Sequence, residues 1–334
     1  MRQILIRNRL VPDSLFIGFV FSCLLISVNA PLFAESDARL HTVIKVLREN
    51  EALYDNLEVH WHESYRKKYY PEVEKADVPQ SADIEGHWIS QQGMFYLNYE
   101  GQRTGPPVAP GKTGIHDQKG FDGAQTRFLQ LGHNYVGKII KGPAYDYRGF
   151  QPHLIPLRWA RYVVPLATIL EGRDAILSHS RGRQGNLSQN LFPTASYIAE
   201  EKLNGLRCIK ISLAHVRNEG TSAKRTSARR DFWLAIDRNY LPIKTENYNY
   251  FYSKEIPIET AELADLQEIE PGIWFPFTSS ITVLDGIKLR EDNSPVVSWK
   301  REYKVSQVSL KPEYDVNFFR KITLPDGTPI EEGN

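Results

Sequence analysis

Short runs of alternating apolar and polar residues, separated by tight-turn signals, constrain this chain more than any other feature. Residues 57–62 alternate strictly, which is the pattern of a half-buried strand. The pair Asn204-Gly205 lies between alternating runs at 195–203 and 206–216, and this is the strongest short-range signal for a hairpin. Asp122-Gly123 supplies a second tight turn. Repeated along the chain, such signals predict roughly ten or eleven antiparallel strands in one strongly curved sheet.

Two helical segments interrupt the strand series. The first, 37–54, has apolar side chains at helical spacing from Leu40 to Leu53 and a capping residue at Asp37. The second, 158–171, contains Pro165, which weakens it. Segments 101–114 and 217–229 are predicted to be loops. Further strands are predicted at 84–90, 94–100, 115–121, 125–131, 230–237, 241–252, 259–269, 273–285 and 296–310.

The N-terminal 34 residues have the order of a secretory signal peptide. Arginines open the chain, an apolar run covers 15–28, and small residues follow at Ala30 and Ala34. We expect cleavage after Ala34, with Ala30 as the second choice. The apolar run is shorter than the about 20 residues of a membrane span. A lipid anchor at Cys23 is the less favoured alternative, because bulky Phe21 does not suit a lipid-attachment site.

Export and composition together exclude several classes of function. A compartment outside the cytoplasm holds little nucleotide, so we expect no cofactor. The formal net charge of +1 gives no electrostatic case for nucleic acid. One of the two cysteines lies in the signal, and Cys208 is then left without an intramolecular disulfide partner. No linker or internal repeat divides the mature chain, so residues 35–334 are predicted to be one domain.

Five short motifs, taken in order, carry a resemblance to a known family. They are Phe-Asp-Gly at 121–123, Phe-Trp-Leu-Ala-Ile-Asp at 232–237, Leu-Pro-Ile at 241–243, Gly-Ile-Trp-Phe-Pro at 272–276, and the terminal Phe-x-x-x-x-Leu-Pro-Asp-Gly-Thr at 319–328. In this order, after an N-terminal helix and strand, they resemble the LolA/LolB-like superfamily of periplasmic outer-membrane lipoprotein carriers. The resemblance covers most of 37–330.

The resemblance implies a mainly β (α+β) fold, in which a single antiparallel sheet forms an unclosed β-barrel with helices across its concave face. It also implies an apolar groove that receives acyl chains or a lipidated or hydrophobic segment. This chain is longer than typical carriers, with insertions at 101–114 and 142–192, and no ligand-contacting arginine of the carriers can be matched to it. The implied partners are a lipid or lipidated protein, a membrane surface or an envelope protein.

Aromatic residues of the predicted strands are the candidates for lining such a groove. Inward aromatic side chains line an apolar cavity in a half-barrel, whereas in an ordinary barrel they only fill the core, and the sequence leaves both interpretations open. The candidates are Trp61, Trp88, Tyr96, Phe128, Trp233, Trp274 and Phe277.

Histidines of the first two predicted strands are candidate metal ligands. His60 and His62 share a strand face with Glu58, because residues two apart point the same way. His87, on the neighbouring strand, could add a third nitrogen or oxygen ligand for zinc. The plain alternative is a polar outer strand face, and the sequence fixes no third ligand.

No catalytic motif is present, and the favoured function is therefore non-enzymatic. The chain has no Gly-x-Ser-x-Gly and no His-Glu-x-x-His. We expect a periplasmic protein that binds lipid, acyl chains or a lipidated segment in an apolar groove. The first alternative is an envelope sensor or assembly module that binds another protein. The second is a metal-dependent exported enzyme that uses the His60/His62 face. A basic cluster at 224–230 is predicted to be a solvated loop that could contact headgroups.

Overall fold

The fold is a single sheet of fourteen strands, seen in a computed structural model that describes residues 38–67, 81–104, 114–131, 136–142, 153–154, 165–172, 174–176, 191–219, 223–324 and 326–331. The strands are β1 (Leu57–Lys67), β2 (Ser81–Gln91), β3 (Met94–Thr104), β4 (Gly114–Phe121), β5 (Gln125–Leu131), β6 (Val136–Lys141), β7 (Leu191–Leu203), β8 (Leu206–Glu219), β9 (Ala223–Ala235), β10 (Leu241–Asn249), β11 (Glu259–Glu270), β12 (Ile273–Leu284), β13 (Val297–Ser309) and β14 (Ile330–Glu331).

Among the described residues, the sheet ends at β14 on one side and at β7 on the other and does not close. Its order is β14-β6-β5-β4-β3-β2-β1-β13-β12-β11-β10-β9-β8-β7. All neighbours pair antiparallel except β14, which adds in parallel to β6. The long-range pairing of β1 with β13 joins the two halves of the chain in the middle of the sheet. Sheets this wide curl because each strand twists, and the predicted unclosed β-barrel is confirmed.

Four α-helices of five residues or more accompany the sheet in the described part of the chain, and residues 174–176 are also helical. Helix α1 covers residues 38–51 and continues as a 3₁₀ turn, Ala52–Tyr54. Helix α2 is Leu166–Glu171, α3 is Gly286–Asp292 and α4 is Val316–Arg320. None of the described helices is both long and apolar enough to cross a membrane.

Strand pairing assigns each side chain to one of two faces, since residues directly opposite each other point the same way. Glu63 pairs with Tyr303 on the next strand, and Tyr303 pairs with Ser279 on the strand after that. In the same way Ile281 pairs with Ala261, Ala261 with Thr245, and Thr245 with Phe232. We call the face that carries these residues and Trp61 the inner face. The outer face carries the residues between them, including His60.

Helices cover both faces at different places. On the inner face, α1 and α2 pack on β7–β9, where Leu40, Val43, Ile44 and Leu47 of α1 share a core with Phe232 and its neighbours. On the outer face, α4 packs on β3 and β4, and Phe319 shares a core with Ile89, Tyr96 and Leu129. Gly120 permits this approach, because a Cβ there would lie 2.6 Å from the Phe319 carbonyl oxygen.

Three predicted segments differ from the structure. Residues 101–104 of the predicted loop 101–114 belong to β3, which ends at Thr104. Helix α2 begins at Leu166, directly after Pro165, because proline suits the start of a helix and not its interior; residues 158–164 lie outside the described part. The predicted loop 217–229 is wrong, since β8 continues to Glu219 and β9 begins at Ala223. Long antiparallel pairing holds this polar sequence in strands.

Other elements were not predicted at all. These are the short strands β6 and β14, and the helices α3 and α4. The predicted signal peptide, with Cys23 and Ala34, lies outside the described residues, as do most of the insertions 101–114 and 142–192. Signal cleavage and the single-domain assignment remain predictions.

Candidate functional site

The inner face at β1 and β2 is tightly packed around Trp61. This side chain is fully buried and lies directly over Gly86, its partner across the strands. A Cβ on Gly86 would lie 2.1 Å from the Cε2 atom of Trp61. Val59 and Trp88 form the next cross-strand pair on the same face. The glycine therefore provides the space that the indole occupies.

The seven aromatic residues predicted to line a groove divide between the two faces. Trp61, Trp88, Phe128 and Phe277 lie on the inner face, whereas Tyr96, Trp233 and Trp274 lie on the outer face. Of the inner four, Trp61 and Trp88 are buried, and Phe128 and Phe277 are half-buried. The inner face therefore carries only part of the predicted set.

Each of the three outer aromatic residues has a local role. Tyr96 lies beneath α4, with Phe318 edge-on at 5.2 Å between ring centroids. Trp233 lies between Lys210 and Lys244, whose Nζ atoms are 4.4 and 5.2 Å from its ring centroid. The guanidinium of Arg238 lies 3.6 Å from the ring centroid of Trp274. The latter two are cation–π contacts, and Trp233 itself is buried in the main hydrophobic core.

A buried charged group interrupts the apolar inner face. Glu63 is fully buried, and its Oε2 accepts a 2.6 Å hydrogen bond from the Tyr99 hydroxyl. The other carboxylate oxygen lies 3.2 Å from Nη1 of Arg301. Burial and the neighbouring Glu63 carboxylate raise the pKa of Tyr99 well above its usual value. Tyr99 is therefore neutral and donates the bond.

Segment 153–154, part of the predicted insertion 142–192, brings a histidine to the inner core. The His153 ring lies 5.1 Å from the rings of both Tyr54 and Phe275, measured between centroids. Its Nδ1 is buried and has no hydrogen-bond partner among the described residues. Burial lowers the pKa of His153 to about 3, so the ring is neutral at physiological pH.

Helices α1 and α2 lie together across the inner face of β7–β9. The carboxylate of Glu51, at the end of α1, accepts hydrogen bonds from the backbone N–H groups of Leu166 and Ala167, which begin α2. Arg48 also pairs with Glu171. The two helices thus form one unit that covers this end of the face, as the predicted helices across the concave face require.

On the outer face, β1 and β2 bring two histidines and a carboxylate together. His60 and His87 pair directly across the strands, and their rings stack with centroids 3.7 Å apart. Oε1 of Glu58 lies 3.3 Å from His60 Nε2 and 3.0 Å from His87 Nε2. These are the side chains among the described residues that are arranged to hold a metal ion. Burial lowers the pKa of His87, which favours the neutral imidazole.

His62, the third histidine predicted as a ligand, is not part of this group. Its Nδ1 lies 2.9 Å from Glu85, and its Nε2 lies 3.6 Å from Asp83. Conversely, sequence reasoning missed Tyr314, whose hydroxyl donates a 2.7 Å hydrogen bond to Oε1 of Glu58. No local pattern links residues 256 positions apart.

The predicted basic cluster does not form a common surface in its described part. Arg230 is buried on the inner face, and burial lowers its pKa well below the usual value. Arg229, on the outer face, pairs with Asp231 at 3.3 Å. Cys208 is fully buried, and burial raises the pKa of its thiol, as expected for a packing residue and not a nucleophile.

Comparison with known proteins finds similarity only among solved structures. No family model and no curated protein matches the chain. An outer membrane lipoprotein-sorting protein domain from Vibrio parahaemolyticus is 12% identical, with 83% of this chain and 96% of that chain covered and a TM-score of 0.42. A DUF1329 family protein from Desulfovibrio piger is 10% identical, with 84% and 96% covered and the same TM-score.

A likeness of this degree gives no ligand, partner or activity for this chain. The fold assignment rests on the strand pairing described above, and the functional argument rests on the inner face.

Proposed function

We propose that this chain is an exported, periplasmic, non-enzymatic protein that holds a lipid, an acyl chain or a lipidated segment against the inner face of its open sheet. The observation that carries the proposal is the apolar inner face with α1 and α2 across one end of it. A signal-type N-terminus in the sequence supports export.

The α1–α2 unit acts as a cover that a ligand displaces. Seven buried leucine, isoleucine and valine side chains of the unit, four from α1 and three from α2, share a core with the sheet. Each stabilises the covered state by about 1.5–3 kcal/mol, or about 10–21 kcal/mol in all. An acyl chain of about 16 carbons gains about 0.8 kcal/mol per buried CH₂, or about 13 kcal/mol in all. The two terms are similar, so exchange between helix and acyl chain is energetically accessible.

The half-buried aromatic residues on the same face support further contacts with the ligand, at two places six strands apart in the sheet. Phe277 on β12 and Phe128 on β5 are partly accessible, unlike Trp61. Aromatic and aliphatic side chains of this kind line most apolar ligand sites. In this proposal Phe277 and Phe128 contact the ligand, while Trp61 and Trp88 support the wall behind it.

The test begins with the protein purified without detergent. Native mass spectrometry and organic extraction of the same sample should reveal a co-purifying lipid or acyl species. N-terminal sequencing of the exported protein should begin at Glu35. A fluorescent long-chain fatty acid, added after extraction, then measures the affinity of the inner face.

Two matched substitutions distinguish binding of the probe at the inner face from its nonspecific adsorption to the protein surface. Phe277→Glu places a charge on the inner face, whereas Phe251→Glu changes an exposed phenylalanine after β10. We expect Phe277→Glu to abolish probe binding and Phe251→Glu to leave it unchanged. Phe277→Ala, a milder change, should weaken binding while circular dichroism stays native.

A lipid-free protein whose probe affinity is equal in wild type and Phe277→Ala would overturn the proposal. If such a protein also retains a stable envelope partner in a pull-down, the function is that of a protein-binding sensor or assembly module.

A further inference from the structure

The outer face of β1 and β2 carries a second candidate site, independent of the inner face. We propose that Glu58, His60 and His87 bind a divalent metal ion of the zinc type. Two imidazole nitrogens and one carboxylate oxygen form the donor set. All three ligand atoms lie within 4.8 Å of one another.

The distances between the donor atoms fit the coordination of zinc. Zinc binds histidine nitrogen and carboxylate oxygen at about 2.0–2.1 Å in a tetrahedron, which places two ligand atoms about 3.3 Å apart. Oε1 of Glu58 lies 3.0 Å from His87 Nε2 and 3.3 Å from His60 Nε2. Two edges of the tetrahedron are therefore near their bound length.

The imidazole rings must rotate to receive the ion. They are stacked with 17° between their planes, and the lone pair of each Nε2 lies in its own ring plane. Metal binding therefore rotates the two imidazole rings until both Nε2 lone pairs point at the ion. This movement gives the site a signature in the resonances of both histidines.

Neighbouring residues hold the carboxylate in place. The Tyr314 hydroxyl donates to Glu58 Oε1 at 2.7 Å. Gln91, at the end of β2, in turn makes two 3.0 Å hydrogen bonds to the backbone of Tyr314, one to its carbonyl and one from its N–H. Such outer contacts orient a metal ligand, and their loss commonly weakens metal binding about 10- to 100-fold.

Donor type and exposure define the class of ion. Two nitrogens and one oxygen suit zinc and related transition metals, whereas calcium and magnesium prefer oxygen ligands. Glu58 and His87 are mostly buried, and His60 is the most accessible of the three, with its side chain 35% exposed. Three protein ligands leave the fourth position to water, on the side of His60.

The experiment titrates the full chain with zinc chloride, after chelator treatment and without a histidine tag. Calorimetry should show one bound ion per chain, and cobalt(II) should give the intense visible absorption of a tetrahedral site. His87→Ala and Glu58→Gln should weaken binding at least about tenfold, and Tyr314→Phe about tenfold. His41→Ala, on the exposed side of α1, is the matched control and should bind as wild type does.

Three outcomes would overturn the proposal. The first is equal zinc affinity in wild type and in a His60→Ala/His87→Ala double variant that circular dichroism shows to be folded. The second is an absence of zinc-dependent shifts in the His60 and His87 ring resonances when zinc binds. The third is tighter binding of magnesium or calcium than of zinc, which would contradict the argument from donor type.

Discussion

The two faces of β1 differ in what their residues contact. On the inner face, Val59, Trp61 and Glu63 are enclosed by neighbouring strands and are almost inaccessible. On the outer face, Glu58 and His60 contact other side chains but remain partly open to solvent. A single strand thus contributes to a packed wall and to an accessible polar cluster at alternate positions.

This difference teaches that the face, and not the residue type, decides what a side chain does here. Glu63 and Glu58 are both carboxylates on β1, five residues apart in sequence. Glu63 is buried against Arg301 and Tyr99, where its charge holds strands together. Glu58 lies beside the two imidazoles of His60 and His87, which are 35% and 22% exposed, where its carboxylate is available to a ligand. Substitutions on the inner face should therefore affect stability most.

The largest expected effect is from Trp61→Ala. Removing a fully buried indole leaves a cavity and should lower the free energy of unfolding by about 4 kcal/mol. Denaturant unfolding followed by circular dichroism measures the change. The adjacent outer residue gives the control, and His62→Ala should stay within about 0.5 kcal/mol of wild type. Equal losses in the two variants would break the distinction between the faces.

Glu63→Ala should follow, with a loss of about 3 kcal/mol, because it leaves the Arg301 guanidinium without its carboxylate. The value is at the low end for a buried pair, since Arg301 is 22% exposed. The double variant Glu63→Leu/Arg301→Met should recover most of the loss, because apolar residues can replace a whole pair. A double variant less stable than Glu63→Ala would show that an apolar pair cannot replace the Glu63–Arg301 ion pair at this position.

Gly86→Ala should lower the free energy of unfolding by about 2 kcal/mol, because the added methyl group overlaps the Trp61 ring. Trp61→Phe should relieve the overlap, so that the losses in the double variant are less than additive. Thermal unfolding of the four proteins completes this cycle. If the two losses in free energy of unfolding were fully additive, the methyl group at position 86 would not contact the side chain at position 61.

The last expected effect is a pH dependence from His153, which amounts to about 2 kcal/mol between pH 7 and pH 5. Its folded pKa of about 3 lies below the unfolded value of 6.5. Above pH 6.5 both states are neutral; as pH falls below 6.5, only the unfolded state gains a proton. Stability should therefore fall by about 1.4 kcal/mol per pH unit from this group, until pH reaches the folded pKa.

His153→Phe should remove this contribution, because phenylalanine packs between Tyr54 and Phe275 without titrating. The measurement compares the free energy of unfolding at pH 7 and pH 5. His41→Ala, which changes an exposed histidine, should retain the wild-type slope. An unchanged slope in His153→Phe would show that His153 is solvated in the folded protein.

Local sequence predicted the elements whose signals are local. The turns at Asp122-Gly123 and Asn204-Gly205 are formed as expected, because few residues other than glycine and asparagine adopt their backbone angles. Glycines 123 and 205 have φ values of +92° and +80°. Helix α1 was also predicted, since its apolar spacing is a property of adjacent turns. The prediction of a loop at 217–229 was wrong because strand pairing between β8 and β9 outweighs the polar composition of this segment.

The sequence by itself determined the hairpins, the alternation along each strand and the presence of histidines and a glutamate on one face of β1. Only the tertiary structure decided which face was enclosed, because that depends on strands distant in sequence. The β1–β13 pairing brought Arg301 to Glu63, and the C-terminal segment brought Tyr314 to Glu58. Period-two alternation determines which side chains share a face of a strand, but only tertiary packing determines which other residues that face contacts.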